Sequence, residues 1–269
     1  MSTFATLLRA NLRFYFSTRR FLVILPFYVF ISVLFPTLVI AGVVPRSPDI
    51  FTYAQSGFLT YANSAALVSG LLAGDALSQD FSRQGLFILS QPVKRSTILL
   101  SRYAASFIAT AIIMVFFYEV IGLSFAHYIY GEIVPTAGLI TITSLLYVAS
   151  MVAFVMLFSS VFRNPNVSIT VPILVIWIVM PLVTGVLGAV HIEPWFLLTY
   201  GGNVLQALAQ MTYPPAFQSI PFGGVGSQTP SLQVYNPAYW ESIAIMLAYL
   251  GASLLLAWVA YSRRELRET

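Results

Sequence analysis

One carboxylate, Glu119, stands in a stretch from residue 104 to residue 129 that carries no other acidic or basic side chain apart from His127. At the centre of a bilayer a charged group costs about 2.5–3.5 kcal/mol on insertion scales, so Glu119 has to face other helices, find a partner or hold a proton. Two readings stay open: a functional proton or substrate group, or a neutral glutamic acid bonded to neighbouring backbone. His127 and His191 sit near the outer ends of their apolar runs with no second histidine pair opposite them, which leaves a bis-histidine haem without ligands. The chain has no cysteine, so thiolate metal sites and iron–sulfur clusters are excluded as well. A phosphate-cradling GxxxxGK[ST] loop is absent: Lys94, the sole lysine, follows Pro92 and Val93. Neither HExxH nor GxSxG occurs. The sequence therefore supplies no catalytic residues, no metal site and no cofactor site, and uphill transport would draw its energy from a separate subunit or from an ion gradient.

These groups are carried by a chain in which 58% of residues are hydrophobic and 8% charged, against about 25% charged in a typical soluble domain. That excludes a water-soluble globule, a disordered chain and a disulfide-stapled secreted scaffold. Six apolar runs reach the roughly 20 residues that a helix needs to cross a bilayer: 21–44, 54–77, 104–129, 136–162, 167–191 and 241–261. The first is too long for a signal peptide and lacks a small-residue cleavage site. With six crossings, twelve of the thirteen Lys and Arg residues fall on one side, Arg46 being the exception, while Asp49, Glu132, Glu193 and Glu241 fall on the other. The positive-inside rule then puts both termini in the cytoplasm, as in a multi-pass protein of the cell membrane. The net charge of +4 is thus a topology signal, and nucleic acid is not an expected partner.

The expected fold is an all-α integral membrane protein, a single membrane domain over 1–269. In residues 1–20, Phe4, Leu7, Leu8, Leu12 and Tyr15 recur at helical spacing, as in an amphipathic helix lying in the bilayer interface. Residues 78–103 form a cytoplasmic loop that mixes Phe81, Leu86 and Phe87 with Asp80, Arg83, Lys94 and Arg95, broken by Gly85 and Pro92. An apolar stretch bracketed by charge needs a partner, either the bilayer surface or another protein. The Pro- and Gly-punctuated outer segment 192–240 cannot be one helix, and its apolar part from Trp195 to Met211 is expected to form short re-entrant helices before the last span. In the second run, Ser56, Thr60, Asn63, Gly70 and Gly74 fall within about 80° of arc on a continuous helix. Such a small, polar face packs against another helix or lines a translocation path.

The run Asp80-Phe-Ser-Arg-Gln-Gly85-Leu-Phe-Ile-Leu-Ser-Gln-Pro92-Val-Lys-Arg95, followed by Arg102, resembles the first cytoplasmic loop of type-2 ATP-binding-cassette (ABC-2) transporter permeases. Phe158-Ser-Ser-Val-Phe-Arg163 and Tyr261-Ser-Arg-Arg-Glu265-Leu are similar to stretches closing the fourth and sixth spans of that family. The resemblance implies a half-size permease, an exporter, that pairs with a second copy or a homologous permease. It also implies that Asp80, Gly85, Pro92 and Arg95 belong to a coupling region docked on a separate ATPase subunit that binds ATP and Mg; the same stretch holds Phe81, Leu86 and Phe87 to fill a groove, the arginines Arg83 and Arg95 for its rim, and Lys94. Two other classes compete: a non-transporting anchor subunit of a respiratory or other membrane complex, and a proton-coupled carrier that uses Glu119. A largely uncharged path fits lipids, hydrophobic drugs or peptides better than free ions.

Overall fold

A computed structural model describes residues 3–81, 93–221 and 231–263. Among them the chain is almost wholly helical, in the order α1 (Thr3–Ser17), α2 (Arg19–Ile40), α3 (Ile50–Leu59), α4 (Tyr61–Ala73), α5 (Arg95–Tyr130), α6 (Ala137–Val161) and α7 (Pro165–Ala189). Two short helices, α8 (Leu198–Gly202) and α9 (Val204–Leu208), precede a hairpin of β1 (Phe217–Pro221) and β2 (Ser231–Tyr235) and the last helix, α10 (Tyr239–Arg263). Helices α2, α5, α6, α7 and α10 are long and apolar enough to cross a membrane.

Helix α6 sits at the centre because its apolar residues run all the way round, and such a helix has no polar side to give to solvent. An unbroken stretch from Tyr147 to Met156 is buried, and α4, α5, α7 and α10 pack against it. The outer helices do the reverse. Leu22, Val23, Phe27 and Phe30 of α2, and Trp177, Ile178 and Leu182 of α7, are exposed, which in lipid carries no penalty.

Helix α1 forms where periodicity places it, but the chain itself covers most of its apolar stripe, leaving Phe4 exposed. Tyr15 is buried, Leu7, Leu8 and Leu12 pack on the core, and the helix lies along α5. Asn11 donates to Ser101 at 3.2 Å, and the Tyr15 and Ser106 hydroxyls are 2.8 Å apart.

Four features depart from the sequence expectation. The run 54–77 is not one helix: α3 and α4 meet at Thr60, whose backbone (φ −99°, ψ −1°) ends one and begins the other. The Tyr118 hydroxyl donates to the Gly57 carbonyl at 3.2 Å, supplying a partner at the break; an interrupted helix at membrane depth needs such substitutes. Helix α5 begins at Arg95, so residues 95–103 are helix rather than loop. Its middle, Ile112–Val120, is a π-helical stretch, as is Val175–Val179 in α7. The hairpin breaks the all-helical expectation, pairing Phe217 with Tyr235 and Pro221 with Ser231; the nearby Pro214, Pro215 and Pro237 deny this region a helix.

Candidate functional site

A cavity of about 290 Å³ lies between α2, α3 and α5. Ile31 and Phe35 of α2, Ser56 and Gly57 of α3, the linking Thr60, and Tyr118, Glu119 and Gly122 of α5 are in its wall. It forms where two elements leave regular geometry, the break at Thr60 and the π-helical stretch that holds Tyr118 and Glu119. A π-helical insertion re-aims side chains relative to the turns on either side, and functional sites favour it.

Glu119 is 2% exposed. Its Oε2 accepts a short hydrogen bond from the Ser144 hydroxyl of α6, whereas Oε1 has no hydrogen-bond partner among the described residues. Around it the tyrosine rings interlock: Tyr61 lies 6.0 Å from Tyr118 and 6.4 Å from Tyr147, centroid to centroid. The buried hydroxyls of Tyr61 and Tyr147 also lack partners among the described residues. Sequence reasoning singled out Glu119, Ser56 and Thr60, all of which the cavity brings together, but missed Tyr61, Tyr118, Tyr147 and Ser144. Tyr118 adjoins Glu119 and Tyr61 adjoins Thr60, yet adjacency on a helix points side chains apart, so no local signal joins them. Replacing Ser144 by Ala removes the donor to Glu119 Oε2 and is expected to cost about 1–3 kcal/mol, read as a lower melting temperature of the purified protein; an unchanged melt would show that this bond contributes nothing.

The remaining residues of the small, polar face go elsewhere. Asn63 is exposed, and its backbone carbonyl accepts from the Trp177 indole at 2.9 Å. Gly70 and Gly74 lie against α7: a Cβ on Gly70 would meet Ile173 Cγ1 at 2.5 Å, and one on Gly74 would meet Ile169 Cα at 2.8 Å. These two glycines form a helix–helix seam. The arc that unites all five residues on paper assumes a continuous helix, and Thr60 interrupts it.

A second polar cluster lies beyond the end of α4, in the 3₁₀ turn Ser78–Phe81. Asp80 is fully buried, takes a short ion pair from Arg102 and accepts from the Tyr261 hydroxyl at 2.9 Å. Burial pushes the Asp80 carboxyl up from its ordinary range, opposed by Arg102 and by the Tyr261 hydrogen bond. Arg102 also donates to the Ala76 carbonyl. Arg20 pairs with Asp75 at 2.5 Å, and Gln79 donates to the same carboxylate oxygen at 2.6 Å. Ser159 of α6 accepts from the backbone of Leu77 at 2.9 Å and of Ser78 at 3.2 Å. The turn is thereby tied to α2, α5, α6 and α10.

Of the residues expected to couple to an ATPase, Asp80 is this buried anchor and Phe81 closes the turn. Lys94 is exposed just before α5, and Arg95 opens that helix, donating to the carbonyls of Tyr261 at 3.1 Å and Ser262 at 2.9 Å. Arg83, Gly85, Leu86, Phe87 and Pro92 lie outside the described residues. Among the described residues no three of His, Asp, Glu or Cys come together as a metal site would require.

The sequence matches no protein-family model, and no curated protein matches it.

Proposed function

We propose that this chain is the permease subunit of an ATP-driven exporter, of the kind its first long loop resembles, drawing energy from a separate nucleotide-binding subunit. The observation that carries this reading is the Glu119 cavity, enclosed by three helices of an apolar bundle and built where two of those helices are irregular. A cavity of that kind can receive a molecule and can change shape, because broken and π-helical segments are natural hinges. On this reading α3 and α4 together make a second crossing, which with α2, α5, α6, α7 and α10 gives six. Both termini then face the cytoplasm, α8 and α9 dip back at the outer face of the cell membrane, and two permeases pair around the path.

The Asp80 cluster fits the mechanical part. A loop whose root is bonded to α5 and α10 passes force to both helices when an ATPase moves it, and ATP-driven closure would shift the population between inward-open and closed states. Affinity purification from the native membrane is expected to recover an ATP-binding-cassette ATPase in stoichiometric amount, with the complex hydrolysing ATP. Replacing Phe87 by Ala together with Lys94 by Glu is expected to reduce the co-purified ATPase at least tenfold while the permease itself stays monodisperse. An isolated chain that transports with no companion subunit would overturn the proposal. The buried carboxylate on the cavity wall favours one rival, a proton-coupled carrier, which uptake driven by a proton gradient without ATP would establish.

A further inference from the structure

Ser32, Ser56, Thr60, Tyr118 and Glu119 in the wall of the cavity share one property that neither their sequence nor the permease reading dictates: their side-chain oxygens are left as acceptors. The Ser32 hydroxyl donates to the Tyr28 carbonyl at 2.6 Å, and Ser56 to the Tyr53 carbonyl at 2.7 Å. Tyr118 spends its proton on the Gly57 carbonyl at 3.2 Å, so in its 3.1 Å contact with Thr60 the threonine is the donor. With these protons committed to the backbone or to one another, the oxygens offer lone pairs. Glu119 adds a carboxylate to the wall, and among the described residues no Lys, Arg or His lines the cavity. A buried acceptor without a donor costs free energy, more so when it carries charge, and a ligand that brings a positive charge or N–H groups removes that cost.

The rest of the wall restricts the ligand further. Phe35, Tyr53, Phe58 and Tyr118 contribute aromatic rings, whose faces attract ammonium groups, while Ile31 and Leu123 are aliphatic. The volume, about 290 Å³, is far more than a proton or bare metal ion needs and is close to the lower end of small-molecule sites. Phe35 is 45% and Ile31 37% exposed on the apolar outer side of α2, so the mouth opens where lipid would lie.

We propose that this cavity binds a lipophilic monocation, an amphiphile with a single ammonium head and an apolar tail, entering sideways from the bilayer. The head sits against Glu119 and the aromatic rings, and the tail lies along Ile31 and Phe35 toward lipid. As a substrate site the cavity rests on the permease reading; as a binding site it does not.

Equilibrium binding of tritiated decyltrimethylammonium to the full-length protein in phosphatidylcholine nanodiscs tests this, with empty discs subtracted for partitioning and decanol and decyl sulfate as neutral and anionic counterparts. The wild-type protein is expected to bind the cation saturably and at least tenfold more tightly than decyl sulfate. Glu119→Gln is expected to weaken the cation at least tenfold and leave decanol unchanged. Gly122→Phe is expected to weaken both, because a Cβ at Gly122 meets nothing within 4 Å and the ring has the cavity to fill. Equal binding of cation and anion by the wild-type protein, unchanged cation binding in either variant, or the absence of saturable binding would overturn the inference. If Glu119→Gln does not fold, wild-type charge selectivity together with Gly122→Phe decides the matter. No ATPase is present in the assay, so the two readings fail separately: lost binding with ATP-coupled export intact removes only this inference, and intact binding with no ATPase partner removes only the permease reading.

Discussion

Replacing Arg102 by Met is expected to destabilise the bundle by about 3–5 kcal/mol, the range for removing one partner of a buried ion pair. Both side chains are enclosed, with exposures of 13% for Arg102 and 1% for Asp80, so solvent does little to screen their attraction. The pair itself is no large gain over an apolar substitute, since burial raises the Asp80 carboxyl despite the guanidinium beside it. The cost of the variant comes from what remains: a carboxylate with the Tyr261 hydroxyl as its surviving side-chain partner, and an Ala76 carbonyl that has lost its donor. A double variant, Arg102→Met with Asp80→Asn, removes the stranded charge and is expected to recover part of the loss. Thermal unfolding followed by size-exclusion chromatography in detergent reads both. If the single and double variants melt at the same temperature, the Asp80 carboxylate does not anchor the turn.

Gly74→Val is expected to be the other severe change, because a side chain at this position drives α4 away from α7. Its Cβ would collide with the Gly70 carbonyl oxygen and lie 2.8 Å from Ile169 Cα of α7, and backbone cannot swing aside. Overpacking of this kind costs about 1–3 kcal/mol and sometimes more, and Gly74 belongs at the upper end. Gly70→Ala should cost less, since its nearest obstacle at 2.5 Å is the flexible side chain of Ile173. Gly251 inside α10 is the control: a Cβ there meets nothing within 4 Å, so Gly251→Ala is expected to stabilise by about 1 kcal/mol through helix propensity alone. Melting temperatures in the order Gly251→Ala, wild type, Gly70→Ala, Gly74→Val would establish the seam; a neutral Gly74→Val would remove it.

The apolar runs are readable as helices because burying hydrocarbon is additive along a segment, and α2, α5, α6, α7 and α10 answer to five of them. The stripe of α1 is readable for the same reason, although periodicity does not reveal that α5 covers it. The break at Thr60 was hidden, since it depends on Tyr118, 58 residues away, reaching the start of α4. The extension of α5 back to Arg95 was hidden too: positive charge suggested a loop, but Arg95 reaches carbonyls at the end of α10.

Glu119 was visible as a candidate because a lone carboxylate in an apolar run is anomalous wherever it points. Its bond to Ser144, its place on a cavity and the acceptor character of that cavity were not visible. Residue types and run lengths, read alone, determined an apolar helical chain without a catalytic or metal motif, since transfer energies and motif chemistry are local. Tertiary structure decided that Gly70 and Gly74 make a seam while Ser56 and Thr60 face a cavity, and that Asp80 meets a tyrosine 181 residues further on. Those outcomes depend on how helices cross and where they break, and crossing geometry is a property of pairs of surfaces that no single stretch of chain encodes.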